Sequence, residues 1–261
     1  MNATPATSGP GSLFRKHPSA FLLAAQLSAL LIYPAMEGTT AGRAAYEIFG
    51  IMVLCLATMV VRHSRVPVPF IIANGAVAAG FSIGSAVHPM PWLVAVSAAS
   101  HALFYFIAAF ALIDYMLRDL EVTGDELIAV AATFTLLAWG FAYLFQLVQT
   151  LSPGSFTAAV DPEKQRSWTE LLFLSFTNLS STGLSDVVPV RGFARGVTML
   201  EQLAGLAYLA VLTSYLVGLT MRRAADRHDQ KLAAQAGKPA TVHRSDEAPR
   251  PVTTDTEGHI E

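Results

Sequence analysis

Six long apolar stretches, separated by short polar connections, occupy most of the chain. A helix needs about 20 apolar residues to cross the hydrocarbon core of a bilayer, and each stretch is close to that length. The pattern therefore predicts six transmembrane helices, at 20–36, 45–62, 67–86, 90–117, 126–150 and 196–221.

A shorter apolar segment lies between the fifth and sixth stretches. It begins with Ser167-Trp168-Thr169-Glu170, which is typical of a capping box, where serine and glutamate side chains bond the backbone N–H groups of the first turn. After about ten apolar residues, too few to cross a bilayer, the chain becomes polar. A short capped helix followed by a polar loop predicts a re-entrant segment, whose non-helical backbone must be buried in protein or line water.

Composition and charge agree with a membrane protein. Hydrophobic residues make up 53% of the 261 positions and charged residues only 14%, against about 25% charged in an average soluble domain. The rule that positive charges remain on the cytoplasmic side predicts that both termini are cytoplasmic in a multi-pass protein of the plasma (cell inner) membrane. The inner segments then hold Arg15, Lys16, Arg62, Arg65, Arg118, Arg222 and Arg223, and the outer connections before residue 152 hold only Arg43.

The region from Leu174 to Leu219 contains the end of the short helix, the motif Ser-Ser-Thr-Gly-Leu-Ser-Asp at 180–186, Pro189 and the last apolar stretch. In this order it resembles the pore-helix, filter and inner-helix unit of the two-transmembrane potassium channel superfamily. The usual filter there is Thr-Thr-Val-Gly-Tyr-Gly-Asp, and it aligns with 180–186 without gaps. The resemblance extends over about residues 121–221, including Pro153-Gly-Ser-Phe156 after the fifth stretch.

The resemblance implies a homotetramer in which four loops surround one ion path. Backbone carbonyls in such filters replace the hydration shell of the ion. By position, the filter residues are Ser181, Thr182, Gly183, Leu184, Ser185 and Asp186, with the first four carbonyls lining the path and the Ser181 hydroxyl at its inner end. The expected partners are membrane lipid and further copies of the chain. No cofactor or metal is implied beyond a permeant K⁺ or other monovalent cation.

Two filter residues depart from the usual pattern. Ser185 stands where the superfamily backbone usually takes a positive φ, at an expected cost of about 1–2 kcal/mol unless the loop relaxes. Leu184 replaces an aromatic residue whose hydroxyl usually braces the filter. The sequence therefore indicates a passive monovalent cation channel, with potassium as the first candidate ion. The alternatives are a non-selective cation channel and a membrane protein that binds an ion in this loop without conducting it.

Two residues of the sixth stretch are candidates for pore support or gating. Glu201 is a carboxylate within a membrane span, and ionisable residues in such positions usually have a function. The resemblance implies that Glu201 lies behind the filter and supports it. Gly205 lies in mid-helix, where glycine costs about 1 kcal/mol relative to alanine. It is either a gating hinge or a site of close helix packing.

Other functions are not indicated. The fourth stretch has only Arg118 instead of the repeated arginines of a voltage sensor, so steep voltage gating by that mechanism is not expected. The chain has no phosphate-binding glycine loop or nucleophile–base set typical of an enzyme, and no basic stripe with interleaved aromatics for nucleic acid. The predicted domains are a cytoplasmic tail at 1–19, a four-helix peripheral bundle at 20–118, an ion channel pore domain at 119–222 and a cytoplasmic tail at 223–261. That tail is expected to be disordered, either at once or after a few more helical turns.

The predicted fold class is thus an all-α integral membrane protein with six transmembrane helices, and with a re-entrant pore helix and filter loop between the fifth and the sixth.

Overall fold

The described residues of the chain are mostly helical. The structure is a computed structural model, and it describes residues 18–36, 50, 52–53, 55–58, 67–88, 90–118 and 124–236. The helices are α1 (Pro18–Met36), α2 (Val68–Val87), α3 (Pro91–Arg118), α4 (Gly124–Leu151), α5 (Trp168–Leu179) and α6 (Gly192–Ala236), and the strands are β1 (Phe156–Ala158) and β2 (Val187–Pro189). Residues 50, 52–53 and 55–58, between α1 and α2, are also helical.

Three of the helical segments are long and apolar enough to cross a membrane. They are Pro91–Asp114 in α3, Ile128–Leu151 in α4 and Gly192–Gly218 in α6, close to the predicted fourth, fifth and sixth spans. Two shorter apolar helices, Ser19–Pro34 and Pro69–Ser85, lie at the predicted first and third spans. Much of the predicted second span falls outside the described residues. The count of six spans therefore stays a prediction.

The described residues also include two short strands that the sequence did not predict, because β1 and β2 form a two-stranded antiparallel sheet. The paired residues are Phe156 and Pro189, Thr157 and Val188, and Ala158 and Val187. Strands of three residues are too short for an alternating pattern to reveal. The pairing brings the chain that leaves α4 beside the chain that enters α6.

Helix α4 packs against α1, α3 and α5. On the side of α3, the buried imidazole of His101 stacks on the Tyr143 ring with centroids 4.5 Å apart. The Tyr143 ring in turn lies 4.1 Å from that of Trp168, the first residue of α5. An aromatic column therefore connects α3, through α4, to the start of α5.

A second apolar cluster joins the end of α4, both strands, α5 and the start of α6. Its buried members are Phe145, Val148, Phe156, Ala158, Leu171, Leu174, Val187, Ala194 and Val197. The strand pair is thus anchored on side chains from three helices.

The chain divides into two compact units, Met1–Val217 and Gly218–Glu261. In the second unit the helix continues to Ala236, which agrees with the alternative that the last helix extends for a few more turns beyond residue 222. That segment is rich in Ala, Arg, Lys, Leu and Gln, which favour helix. The rest of the predicted tail, 237–261, and most of the predicted N-terminal tail, 1–17, lie outside the described residues.

Candidate functional site

Helix α5 begins with the predicted capping box. The backbone N–H of Glu170 donates to Ser167 Oγ at 3.3 Å, and the N–H of Ser167 donates to Glu170 Oε2 at 2.6 Å. The helix is 12 residues long and most of its side chains are buried. At 1.5 Å per residue it spans about 18 Å, against about 30 Å for a bilayer core. The capping box prediction is confirmed.

The end of α5 is a Schellman motif. The N–H of Ser181 donates to the Asn178 carbonyl at 3.0 Å, and the N–H of Thr182 donates to the Thr177 carbonyl at 2.9 Å. The N–H of Gly183 also reaches the Thr177 carbonyl, at 3.1 Å. Ser181 occupies the left-handed position with φ 60°, where glycine is usual. The first residues of the 180–186 loop are therefore tied to the last turn of α5, and Thr182 and Gly183 share the Thr177 carbonyl.

The residues predicted to form the filter are largely exposed in the single chain. Ser181, Thr182, Gly183, Leu184 and Asp186 are exposed, and Ser185 is half-buried. Leu184 has 77% of its surface accessible, which is unusual for a leucine unless another molecule covers it. The loop thus leaves most of these predicted filter side chains exposed.

The backbone strain expected at Ser185 is absent. Among the described residues, positive φ occurs only at Asp161, Ser181, Gly154 and Gly183. Ser185 instead accepts a hydrogen bond on Oγ from the N–H of Val187 at 3.1 Å, a local turn that serine commonly makes. The loop thus avoids the strain at Ser185, because its residues with positive φ, Ser181 and Gly183, come earlier.

Glu201 lies at the buried interface between α5 and α6 and, unlike most side chains of the loop, it is not exposed. Its carboxyl group is fully buried and contacts Ser175 Oγ and Asn178 Nδ2, the latter at 3.2 Å. Ser175 Oγ also lies 2.8 Å from the carbonyl oxygen of Ala138 on α4. These four residues connect three helices next to the last turn of α5.

Gly205 lies where α6 meets the last residue of α5. A methyl group at this position would collide with the Leu179 backbone, with its carbonyl carbon and Cα only 2.9 Å away. Backbone atoms cannot move aside as a flexible side chain can, so only glycine fits. Close helix packing, one of the two interpretations of Gly205, thus has a direct structural reason.

All of these elements fall within one continuous segment. Residues 130–222 match the family described as ion channel. The match begins within α4, contains β1, α5, the 180–186 loop and β2, and ends within α6. It supports an ion channel function for this part of a membrane protein, and it does not include residues 18–118. No curated protein and no solved structure matches the chain.

Within the ion channel segment, several polar contacts were not anticipated from the sequence. Gln149 on α4 bonds both backbone groups of Arg166, with its Nε2 donating to the carbonyl at 2.9 Å and its Oε1 accepting from the N–H at 3.1 Å. The Tyr208 hydroxyl donates to the carbonyl of Val130 at 2.6 Å. Polar residues within apolar stretches were the available signal for Gln149, Ser175 and Asn178.

Proposed function

We propose that the chain is one subunit of a passive channel for monovalent cations, with potassium as the first candidate ion. The observation that carries this proposal is an exposed polar loop at the end of a buried helix of 12 residues, inside the segment that matches the ion channel family. A loop of this kind at membrane depth requires water or further protein on its exposed side. A homotetramer meets this requirement, because four copies of the loop then face one another around a water-filled path while lipid surrounds the outside of the assembly.

In this tetramer the backbone carbonyls of Ser181, Thr182, Gly183 and Leu184 line the path and substitute for the hydration shell of the cation. The Ser181 hydroxyl stands at the inner end of the path, and Ser185 and Asp186 lead to its outer mouth. Because the C-terminal end of a helix carries partial negative charge, the ends of four α5 helices favour a cation near the inner end of the loops.

Glu201 and Gly205 act as pore support in this proposal. The carboxyl of Glu201 holds Asn178 and Ser175 of α5, and Gly205 allows α6 to lie against the Leu179 backbone. Both contacts are made within the last turns of α5, directly before the loop. They fix the distance between α6 and the start of the filter.

The remaining features of the proposal concern orientation and gating. We place both termini in the cytoplasm and the channel in the plasma (cell inner) membrane, on the basis of the positive charges of the inner segments. The channel is not gated by an arginine-rich helix, because the α3 sequence has no repeated arginines.

A non-selective cation channel is the second candidate. The specific observation in its favour is Leu184, which is exposed and has no polar side-chain atom with which to brace the loop. A loop with weaker bracing holds its carbonyls less rigidly. Conduction then persists while discrimination between potassium and sodium falls.

Single-channel currents of the purified protein in planar bilayers, under opposed potassium and sodium gradients, test the proposal. Gly183→Ala is expected to abolish the current. No atom lies within 4 Å of a Cβ built at Gly183, but its φ of 64° strains any residue other than glycine. Gly192→Ala is the matched control, at a glycine with equal free space and no positive φ.

The outcomes of the recording separate the candidates. Reversal near the potassium equilibrium potential, lost in Gly183→Ala and kept in Gly192→Ala, supports a selective pore. Reversal near zero supports the non-selective channel. A well-folded tetramer that stays silent across voltage and pH contradicts conduction and favours the ion-binding alternative.

A further inference from the structure

The 180–186 loop is attached to its own subunit at both ends, by different means. At the inner end, the N–H groups of Thr182 and Gly183 share the Thr177 carbonyl. At the outer end, the chain passes directly from Asp186 into β2. The residues between Gly183 and Val187 are only three, so the positions of these two attachments determine much of the loop's course.

Val187, the first residue of β2, is the side chain that enters the protein at the outer end. It is 1% exposed and belongs to the second apolar cluster, together with residues of α4, α5 and α6. Its neighbour Val188 is 47% exposed, because successive residues of a strand point to opposite faces. Val187 is therefore inserted into the apolar cluster, and Val188 is not.

The backbone after Val187 is also fixed. The N–H of Val190 donates to the Ser155 carbonyl at 2.9 Å, which makes 155 and 190 a hydrogen-bonded pair. By the alternation of antiparallel ladders, Phe156 and Pro189 then form a non-hydrogen-bonded pair, the position where the missing N–H of proline costs nothing. Arg195 Nε donates to the Pro189 carbonyl at 3.2 Å.

We propose that Val187 is the outer anchor of the loop, a positioning residue that determines ion discrimination by fixing where the chain leaves the filter. This inference rests on the proposed channel function. Leu184 has no polar atom and is exposed, so its side chain does not supply this attachment. Buried Val187, held between the strand ladder and the apolar cluster, supplies it instead. Loss of its methyl groups leaves a cavity into which the outer end of the loop relaxes.

The test compares Val187→Ala with Val188→Ala, the same change at the adjacent exposed position. The readouts are the potassium-to-sodium permeability ratio and the unitary conductance of each purified channel in planar bilayers. We expect Val187→Ala to lower the permeability ratio by about tenfold, equivalent to ~1.4 kcal/mol, or the unitary conductance by a similar factor if the wild type is non-selective. Val188→Ala should match the wild type.

A third variant separates positioning from general stability. Val187→Thr keeps the shape of valine but buries a hydroxyl, so it destabilises the protein without opening a cavity. If Val187 anchors the loop, Val187→Thr retains wild-type permeation. If Val187 only stabilises the protein, both Val187→Ala and Val187→Thr lower the yield of tetramer, and the tetramers that do form permeate ions as the wild type does. If Val187→Ala yields no tetramer, Thr157→Pro replaces it in the test. Proline removes the backbone N–H of Thr157 opposite Val188, which weakens the pairing of β1 with β2, and it should lower the same permeation values.

The failures of the two proposals are distinguishable. A silent wild-type tetramer overturns the channel itself. A conducting wild type whose permeation is unchanged in Val187→Ala, or in Thr157→Pro when that variant is needed, overturns the anchor and leaves the channel in place.

Discussion

Asn178 on α5 donates a hydrogen bond of 3.2 Å to Glu201 on α6, at a carboxyl group with no solvent exposure. Ser175, one helical turn earlier on α5, contacts the other oxygen of the same carboxyl. Through these contacts one side chain of α6 holds two positions in the last turns of α5. Removal of that side chain leaves Asn178 Nδ2 without this acceptor and leaves Ser175 Oγ with only the Ala138 carbonyl.

Glu201→Ala should lower the free energy of unfolding of the detergent-solubilised protein by about 2–4 kcal/mol. The cost combines a cavity with the loss of a carboxyl that two buried polar groups contact. Glu201→Gln should cost less, because its side chain has the same shape and retains an acceptor. Denaturant unfolding measures the difference, with the exposed neighbour Gln202→Ala as control. Equal stability of Glu201→Ala and Gln202→Ala would show that the network contributes nothing.

Gly205→Ala should destabilise the protein by about 1–3 kcal/mol, as expected for overpacking against backbone atoms. Gly196→Ala, on the same helix, should instead stabilise it by roughly 0.5–1 kcal/mol, because no atom lies near a Cβ there and alanine favours helix. Thermal unfolding of the two variants provides the comparison. Opposite signs support close packing at Gly205, and a gain in both variants contradicts it.

Ser181→Gly should raise stability by about 0.5–1 kcal/mol, since glycine adopts a φ of 60° without strain. Ser181→Val should lower it, because a β-branched side chain is least compatible with this backbone. The measurement is again thermal unfolding. If Gly and Val have the same effect, the left-handed conformation at Ser181 is not retained in the folded protein.

Gln149→Leu should loosen the segment before α5. The buried N–H and carbonyl of Arg166 then lose their partners, at about 1–3 kcal/mol for each group. Gln146→Leu, one turn earlier on α4, should cost little, because the buried Oε1 of Gln146 has no hydrogen-bond partner. Limited trypsin digestion at the exposed Lys164 reports the change. Faster cleavage in Gln149→Leu than in Gln146→Leu is the expected result, and equal rates contradict it.

Local features of this chain were predictable from the sequence. The capping box at Ser167 and Glu170 involves residues three apart, so its signal lies within one turn. The fourth, fifth and sixth apolar stretches correspond to helices because their length and hydropathy are properties of continuous segments. The position of the loop between α5 and α6 follows from the same reasoning.

Contacts between distant residues were not predictable. Phe156 and Pro189 pair across 33 positions, and Glu201 meets Ser175 across 26, with nothing local to indicate either partner. The positive φ was expected at Ser185 by analogy, but the helix end places it at Ser181. The hydrogen bonds of a particular helix end decide such details, and they depend on where the helix stops.

The left-handed backbone at Ser181 has a stereochemical consequence. A φ of 60° is the mirror image of the ordinary right-handed value, so it is the conformation that a D-amino acid prefers. D-serine introduced at this position by chemical ligation would remove the backbone strain, and on the same backbone its hydroxyl would project from the opposite side of Cα, away from the place that we assign to it at the inner end of the filter. Inverted chirality at one residue would thus stabilise the helix end while displacing the hydroxyl, so a gain in stability and a change in permeation would report the two contributions separately.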